Sequence, residues 1–317
     1  MKSKFILIVA VAFFTITVII ALKNPPSTSK EMVAMDTVIE IIAEGWGAEG
    51  KTQLALDRVR DVEARMSKNS EKFPNSEVVR INRGDTYWGN RETIRVINRG
   101  IYFGGLSNGL FDISIGAIVE LYEKAEPSPE EAQRVAALVN YKNLTINQPI
   151  PSGMRLDLGG IAKGYAGDEA VLALRKAGIN NIMVNMGGDI VTAGDKKWKI
   201  GVRNPFADSN SSMGTLEITN KAVATSGAYE RGQHIYDPRT GKPVDNNIAS
   251  ATVIAGSGMD ADALATIAYI MGKDAFALIR AQGAECILIT KNHEVFTSFG
   301  EDKKLFRITD KKFTYVE

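Results

Sequence analysis

The sequence predicts an α+β fold, a mixed and mostly antiparallel sheet with flanking helices, placed after an N-terminal apolar segment. Three observations predict it. Residues 198–202 and 214–218 are short runs of strand character joined by a polar connection over 204–212, the pattern of antiparallel neighbours. Residues 52–66 and 259–272 carry apolar positions at helical spacing. No repeat of fixed period occurs, so a solenoid or propeller is not indicated. At 317 residues the chain is long enough to bury a large core.

Taken in order, Lys2 and Lys4 precede an uncharged apolar run over 5–22, which is followed by Lys23, Asn24, Pro25 and Pro26. Its length lies between a signal-peptide core and a full membrane span, and the flanking lysines favour a cytoplasmic N-terminus. There is no Ala-x-Ala cleavage site and no following Cys to carry a lipid. The expectation is an uncleaved anchor in the cell membrane with the body outside, on the periplasmic side of a Gram-negative cell; a cleaved signal is the alternative. Residues 25–30 read as a tether, which makes 1–30 the anchoring segment and 31–317 the folded domain.

Residues 32–43 alternate and then run together, predicting a first strand. Leu54, Leu56, Val59, Val62 and Met66 give 52–66 one apolar helical face. The stretch 67–83 is polar and irregular, and 93–103 is helical again. Gly104-Gly105 and Asn108-Gly109 bracket a turn, after which 110–116 lead into the apolar segment 117–122. Pro127-Ser-Pro-Glu-Glu opens a short helix running to about Val139. Residues 144–146 and 154–156 predict a hairpin, and a helix from about 161 to 177 stops at Gly178. A strand over 182–185 ends in a second double-glycine turn, Met186-Gly187-Gly188-Asp189. Residues 276–279 and 287–290 finish the core as helix and strand.

Acidic and basic residues nearly cancel, 37 against 38, without a long charge run, so no nucleic-acid footprint is indicated. The single Cys286 stands in Glu-Cys-Ile-Leu-Ile and reads as an inert core thiol. That excludes an intrachain disulfide and a thiolate metal site.

The stretch that organises the chain is Asp157-Leu-Gly-Gly-Ile-Ala-Lys-Gly-Tyr-Ala-Gly-Asp168, read as a strand end, a double-glycine turn and the first turns of a helix. Gly159 and Gly160 let the backbone bend and a ligand approach, and the helix N-terminus offers N–H groups and positive charge to a phosphate. Equally, the glycines of any strand-turn-helix can serve packing. Tyr165 after Gly164 excludes a Walker loop, and no G-x-G-x-x-G is present in the segment. Asp112, inside an apolar run, is either a helix or turn cap or a site residue. The segment 224–231 leads into His234-Ile-Tyr-Asp-Pro-Arg-Thr-Gly241, a cluster of hydroxyls with a His and an Asp. Asp237-Pro238 and Thr240-Gly241 also suit plain β-turns with His234 exposed. Ser226 lacks the G-x-S-x-G or S-x-x-K surroundings of a hydrolase nucleophile. Asp262 and Thr266, four apart on a predicted helix, put two hard oxygens on one face, which suits magnesium completed by a carbonyl, water and phosphate. The other reading is that Asp260 and Asp262 simply favour a helix N-terminus.

Five blocks in this order, Asp-Leu-Gly-Gly-Ile-Ala-Lys-Gly-Tyr-Ala, Asn-Met-Gly-Gly-Asp, Thr-Ser-Gly-Ala-Tyr, His-Ile-Tyr-Asp-Pro-Arg-Thr-Gly-Lys-Pro and Ala-Asp-Ala-Leu-Ala-Thr, resemble the signature blocks of the FAD:protein FMN transferases, the ApbE-like family. The resemblance runs from about Met35 to the C-terminus. It implies a single ApbE-like (T-fold-related) domain and FAD bound as substrate, its pyrophosphate beside Mg2+. FMN is then transferred to a Thr or Ser hydroxyl of a partner protein, with release of AMP. Carried over by position, it implies FAD contacts from Met35, Asn69, Leu110, Phe111, Asp112, Asp157, Lys163 and Tyr236. It implies a magnesium site from the Gly160 carbonyl, Asp262, the Ala265 carbonyl and Thr266. His234 is the expected base for the acceptor hydroxyl. The expected partner is a flavin-bearing subunit of a membrane electron-transfer system. Asp262→Ala is expected to lose activity while folding normally.

Two departures stand out. This chain has Met35-Asp36-Thr37 where the family usually has Met-Gly-Thr, and it lacks the lipid-bearing Cys of many members. The same magnesium and pyrophosphate would serve an FAD pyrophosphatase giving FMN and AMP, and a non-catalytic flavin-binding protein is the third reading. Magnesium-dependent turnover of FAD separates the last from the first two.

Overall fold

The computed structural model describes residues 25–86, 88–207, 211–229, 232–299 and 305–316. A hairpin of β1 (Ser27–Ala34) and β2 (Thr37–Glu44) is followed by α1 (Thr52–Met66), α2 (Glu77–Asn82), α3 (Arg91–Leu106), α4 (Gly116–Lys124), α5 (Pro129–Ala136) and α6 (Ala162–Lys176). Then come β3 (Asn181–Asn185), β4 (Ile190–Ala193), β5 (Trp198–Arg203), β6 (Ser212–Ile218), β7 (Ala222–Ser226) and β8 (Ile248–Ala255). Last are α7 (Gly258–Met271), α8 (Ala275–Ala281), β9 (Glu285–Thr290), β10 (Glu294–Thr297), β11 (Phe306–Ile308) and β12 (Thr314–Tyr315). The strands form a nine-stranded sheet in the order β1-β2-β3-β4-β7-β8-β9-β10-β12 and a three-stranded sheet β11-β6-β5. Among the described strands only β10 and β12 pair in parallel, so the expected mixed, mostly antiparallel α+β architecture is what forms.

Side-chain alternation builds a core on each face of the large sheet. Ala222, Ala224, Ala251, Val253, Ala255, Cys286 and Leu288 join the main core, which also holds residues of α1, α6 and α7. Val223, Ile254, Ile287 and Ile289, their neighbours along the same strands, meet Trp198, Ile200 and Leu216 of the small sheet in a second core. The alanines make room for α7, whose own Ala261, Ala263, Ala265 and Ala268 are fully buried. A larger side chain at one of these positions would force the helix off the sheet, at about 1–3 kcal/mol.

α6 and α7 lie closer than helices with side chains can. A Cβ on Gly164 would sit 2.0 Å from the Gly258 carbonyl oxygen, and one on Gly258 would sit 2.4 Å from the Gly164 carbonyl oxygen. At this crossing the helices cap each other. Asp168 of α6 accepts hydrogen bonds from the backbone N–H groups of Gly258 (2.6 Å) and Met259 (3.0 Å) at the start of α7. Asp262 of α7 accepts one from the Gly164 N–H (3.1 Å) in the first turn of α6. The residue preceding α6, Ile161, makes no side-chain cap, so Asp262 performs that task from the neighbouring helix.

Several elements differ from expectation. The single strand over 32–43 is a hairpin, interrupted at Met35 and Asp36, both at positive φ (52° and 58°) as the two central residues of a type I′ turn require. Ser27–Lys30, expected as tether, are strand paired with β2. The irregular stretch 67–83 contains α2, whose Val78, Val79 and Ile81 are buried. No hairpin forms from 144–146 and 154–156. Pro149 and Pro151 lack the N–H groups a ladder needs, and Asp157 instead donates its N–H to the Ile113 carbonyl (2.8 Å) while Gly116 donates to Arg155 (2.9 Å). β4, β7, β8 and β10 to β12 had no counterpart in the sequence reading. Among the described residues no helix is long and apolar enough to cross a membrane; the expected anchor at 5–22 lies outside them.

Candidate active site

The hairpin turn, the end of α1, α4, the double-glycine turn and α7 surround a cavity of ≈ 420 Å³, within the range of small-molecule sites. Met35, Asn69, Leu110, Phe111, Asp112, Asp157, Gly160, Lys163, His234, Tyr236, Asp262 and Thr266 all line it. Ala265 does not; it is fully buried in the core, one residue before Thr266.

The centre of the cavity is the meeting of the turn 157–160 with α7. Neither Gly159 nor Gly160 takes a positive φ, so close approach, rather than an unusual bend, is what these glycines permit. A Cβ on Gly160 would stand 3.2 Å from the Phe111 ring and 3.6 Å from Thr266 Oγ1. Thr266 donates its hydroxyl to the Asp262 carbonyl at 3.4 Å and lies 3.4 Å from Ser226 Oγ. The Asp262 residue is 5% exposed. Its carboxylate occupies the N-terminal turn of α6, so the anion site expected there already holds a negative charge. A phosphate at this end of α6 therefore calls for a cation between the two.

Around this centre the walls carry charge. Asp157 accepts from the Gly159 N–H (2.7 Å) and pairs with Lys68 (3.3 Å), which also reaches Glu123 (2.8 Å). Burial pulls the Lys68 ammonium down, but Asp157 and Glu123 together hold it above its ordinary value. Asp112 is buried and accepts from Ser114 (N–H 2.8 Å, hydroxyl 2.7 Å) and from the Tyr141 N–H (2.7 Å). Burial raises its carboxyl despite those donors, and the turn-cap reading of this residue is correct alongside its place in the wall. The Met35 N–H donates to Glu63 (2.9 Å), which also takes Lys72 (2.8 Å), fixing the strained hairpin turn at the rim. Asn69 uses its side-chain oxygen to hold the N–H groups of Glu71 and Lys72. Tyr236 packs against Tyr122 at a tilt of 31°, with centroids 4.6 Å apart. Thr240 and Gly241 donate to the Asp237 carbonyl, so the turn reading of that segment holds too. His234 lies exposed at the cavity, with Nδ1 2.8 Å from the Gly232 carbonyl. A carbonyl only accepts, so this contact is a hydrogen bond when the proton sits on Nδ1.

The sequence reading missed Lys68, Lys72, Glu63, Glu123 and the face of α4. Ile115, at the cap of α4, and Val119 and Glu123 along it recur every four residues, a signal that was available. Lys68 stands in a stretch with no periodicity, so only its spatial partners identify it.

This is an α+β ligand-binding domain with a cavity that joins hard oxygen donors, lysines and apolar walls, the requirements of an anionic ligand with flat rings. The chain belongs to the ApbE family, whose model matches residues 35–288. An FAD:protein FMN transferase of Vibrio cholerae is 31% identical over 291 residues, spanning 82% of this chain and 86% of that protein. One of Klebsiella pneumoniae is 34% identical over 209 residues, 59% of this chain and 66% of that protein. A mutant of the flavin transferase ApbE from Vibrio cholerae superposes with a TM-score of 0.76 at 27% identity, covering 88% of this chain and 99% of that one.

Proposed function

We propose that this chain transfers the FMN half of FAD to a Thr or Ser hydroxyl of a partner protein and releases AMP. The observation that carries the proposal is the convergence of Asp262, Thr266 and Gly160 beside the first turn of α6, in the same cavity as His234. The donor set fits magnesium. Among the described residues no three His, Cys, Asp or Glu side chains cluster as a self-sufficient metal site. A cation here would rest on the Asp262 carboxylate, the Thr266 hydroxyl, the Gly160 carbonyl and, from the family pattern, the Ala265 carbonyl, with ligand oxygens completing the shell. When bound, it would neutralise the pyrophosphate and stabilise charge at phosphorus.

The chain's own residues supply the rest. Leu110, Phe111 and Tyr236 offer flat or apolar surface to the flavin or adenine rings, with Met35 and Asn69 at the rim. Asp112 and Asp157 provide acceptors for N–H and hydroxyl groups, and Lys163 a cation for the pyrophosphate. The acceptor oxygen forms a new bond to the FMN phosphorus as the pyrophosphate P–O bond breaks. AMP leaves with the bridging oxygen, and His234 Nε2 takes the hydroxyl proton. The proposed partner is a flavin-bearing subunit of a membrane electron-transfer system, on the outer side of the membrane to which residues 5–22 would anchor the chain.

The test is to incubate the full chain with FAD, magnesium and a Thr-bearing acceptor domain, following AMP release and flavin fluorescence in a denaturing gel. Fluorescence that survives denaturation with stoichiometric AMP is the expected result. AMP and free FMN without labelled acceptor would replace the reading by a pyrophosphatase, and flavin binding without turnover would leave only a binding protein.

A further inference from the structure

The second double-glycine turn, Met186-Gly187-Gly188-Asp189, has no part in the reaction just described, yet it is tightly specified. Gly187 adopts φ +77°, and a Cβ there would lie 1.8 Å from Thr37 Oγ1, so the turn is pressed against the first residue of β2, beside the Met35-Asp36 turn. The Gly188 N–H donates to Asn185 Oδ1 (2.8 Å) and the Met186 N–H to the Asp189 carbonyl (2.7 Å). This geometry drives the Asp189 side chain inward, where the residue is 3% exposed. Its Oδ2 accepts from the Lys163 ammonium, and its Oδ1 lies 3.4 Å from the Thr225 N–H. Lys163 lines the cavity; Asp189 does not.

Two physical arguments bear on why the pair exists. Lys163 stands in the first turn of α6, the end of a helix where a cation is disfavoured, so placing it there needs a nearby counter-charge. Stability alone is a poor reason for the arrangement, since apolar residues of similar size commonly replace a buried ion pair without loss. A lysine also has a long flexible stem whose freedom is lost on ligand binding. A carboxylate that holds the ammonium in place beforehand removes that loss.

We infer that Asp189 is a positioning residue, which holds the Lys163 ammonium at the cavity wall in the place where it meets the pyrophosphate of FAD. The inference rests on the flavin-transfer reading for the identity of the ligand. It gives the turn a purpose: Gly187 lets it seat against β2, and Asp189 carries its effect into the cavity through Lys163.

The experiment is a double-mutant cycle on the full chain, with Asp189→Asn, Lys163→Met and the two combined. FAD affinity is read by flavin-fluorescence titration with and without magnesium, and transfer kinetics are read alongside. Asn keeps an acceptor for Thr225, and the combined variant holds no unpaired buried charge; Lys163→Met alone leaves Asp189 buried without its cation, so a melting curve on that variant accompanies the titration. The expected result is that Asp189→Asn weakens FAD binding on the order of tenfold, mostly in KM rather than kcat, and adds nothing once Lys163 is Met. Unchanged affinity in Asp189→Asn overturns the inference, and so does a loss repeated undiminished in the Lys163→Met background, which would mean that Asp189 acts through the fold. Failure of the unaltered chain to bind FAD would overturn the parent reading itself, and is seen before any variant is made.

Discussion

Replacing Gly164 by Ala tests whether the crossing of α6 and α7 sets the site. In an open helix interior the change would stabilise by about 1 kcal/mol, because Ala is the better helix former. Here the new Cβ would stand 2.0 Å from the Gly258 carbonyl oxygen and 2.8 Å from the Met259 nitrogen, both backbone atoms that cannot rotate away. Ordinary contact begins near 3.4 Å, so the helices must part by roughly 1.4 Å. Such overpacking costs about 1–3 kcal/mol and at least offsets the propensity gain. The net loss, up to about 2 kcal/mol, lowers Tm by up to about 3 °C in a chain of this size. The functional loss is larger. The same displacement takes Asp262 away from the Gly164 N–H and from Gly160, and an error of about 1 Å in a reacting geometry costs on the order of 10² in rate. The assay is FAD turnover against magnesium concentration, with a melting curve for each sample. Gly105→Ala on α3, where a Cβ meets nothing within 4 Å, is the control, expected to stabilise slightly and leave turnover alone. Wild-type magnesium response in a folded Gly164→Ala chain would refute the argument.

Further outcomes follow from the same structure. Asp262→Ala should lose turnover and also about 1–2 kcal/mol of stability, because it uncaps α6. Asp262→Asn should retain most of the stability and still lose turnover; full turnover at saturating magnesium would remove Asp262 from the metal site. His234→Ala should slow transfer by about 10²–10⁴ with FAD affinity unchanged, and a full transfer rate would show that the proton goes elsewhere. Burial, with Asp260 nearby, pushes the Asp168 carboxyl up to about 6 against the pull of its two backbone donors. The folded state then binds this proton more tightly than the unfolded chain, whose Asp titrates near 3.9. Its contribution to stability is full below about pH 4 and lost as pH rises through 6, up to about 3 kcal/mol; urea melts over pH 4–7 should show that slope flattened in Asp168→Asn. Asp36→Gly should relieve the left-handed backbone by about 0.5–1 kcal/mol, and an unchanged or lower melting temperature would contradict a strained turn.

Much of this was legible where periodicity is strong. The α1 boundaries at Thr52 and Met66 follow from its apolar face, and Cys286 is the buried thiol its strand implied. The candidate site was legible as a set of residues because its motifs sit at turns and helix starts, where residue type is dictated locally. Its geometry was not. Asp262 read as a magnesium ligand or a helix-start residue, and its cap on a second helix is a contact 98 residues away in sequence. β7 and β8 were missed because strands covered on both faces lose alternation, and the alanines on their helix side resemble helix formers. The first hairpin was read as one strand because neither Met35 nor Asp36 is a glycine, the usual marker of such a turn.

The reciprocal caps give Asp262 a reason to persist that is separate from the reaction. A descendant of this chain that abandoned the reaction would still need it, with Asp168 and the close approach at Gly164, since losing any of them loosens the seam between two central helices. Thr266 has no such second duty: no helix end depends on its hydroxyl, and an apolar residue could fill its place on α7. Among chains sharing this double cap, the position to inspect for retained chemistry is therefore Thr266, while an aspartate at 262 testifies only that the two helices still meet.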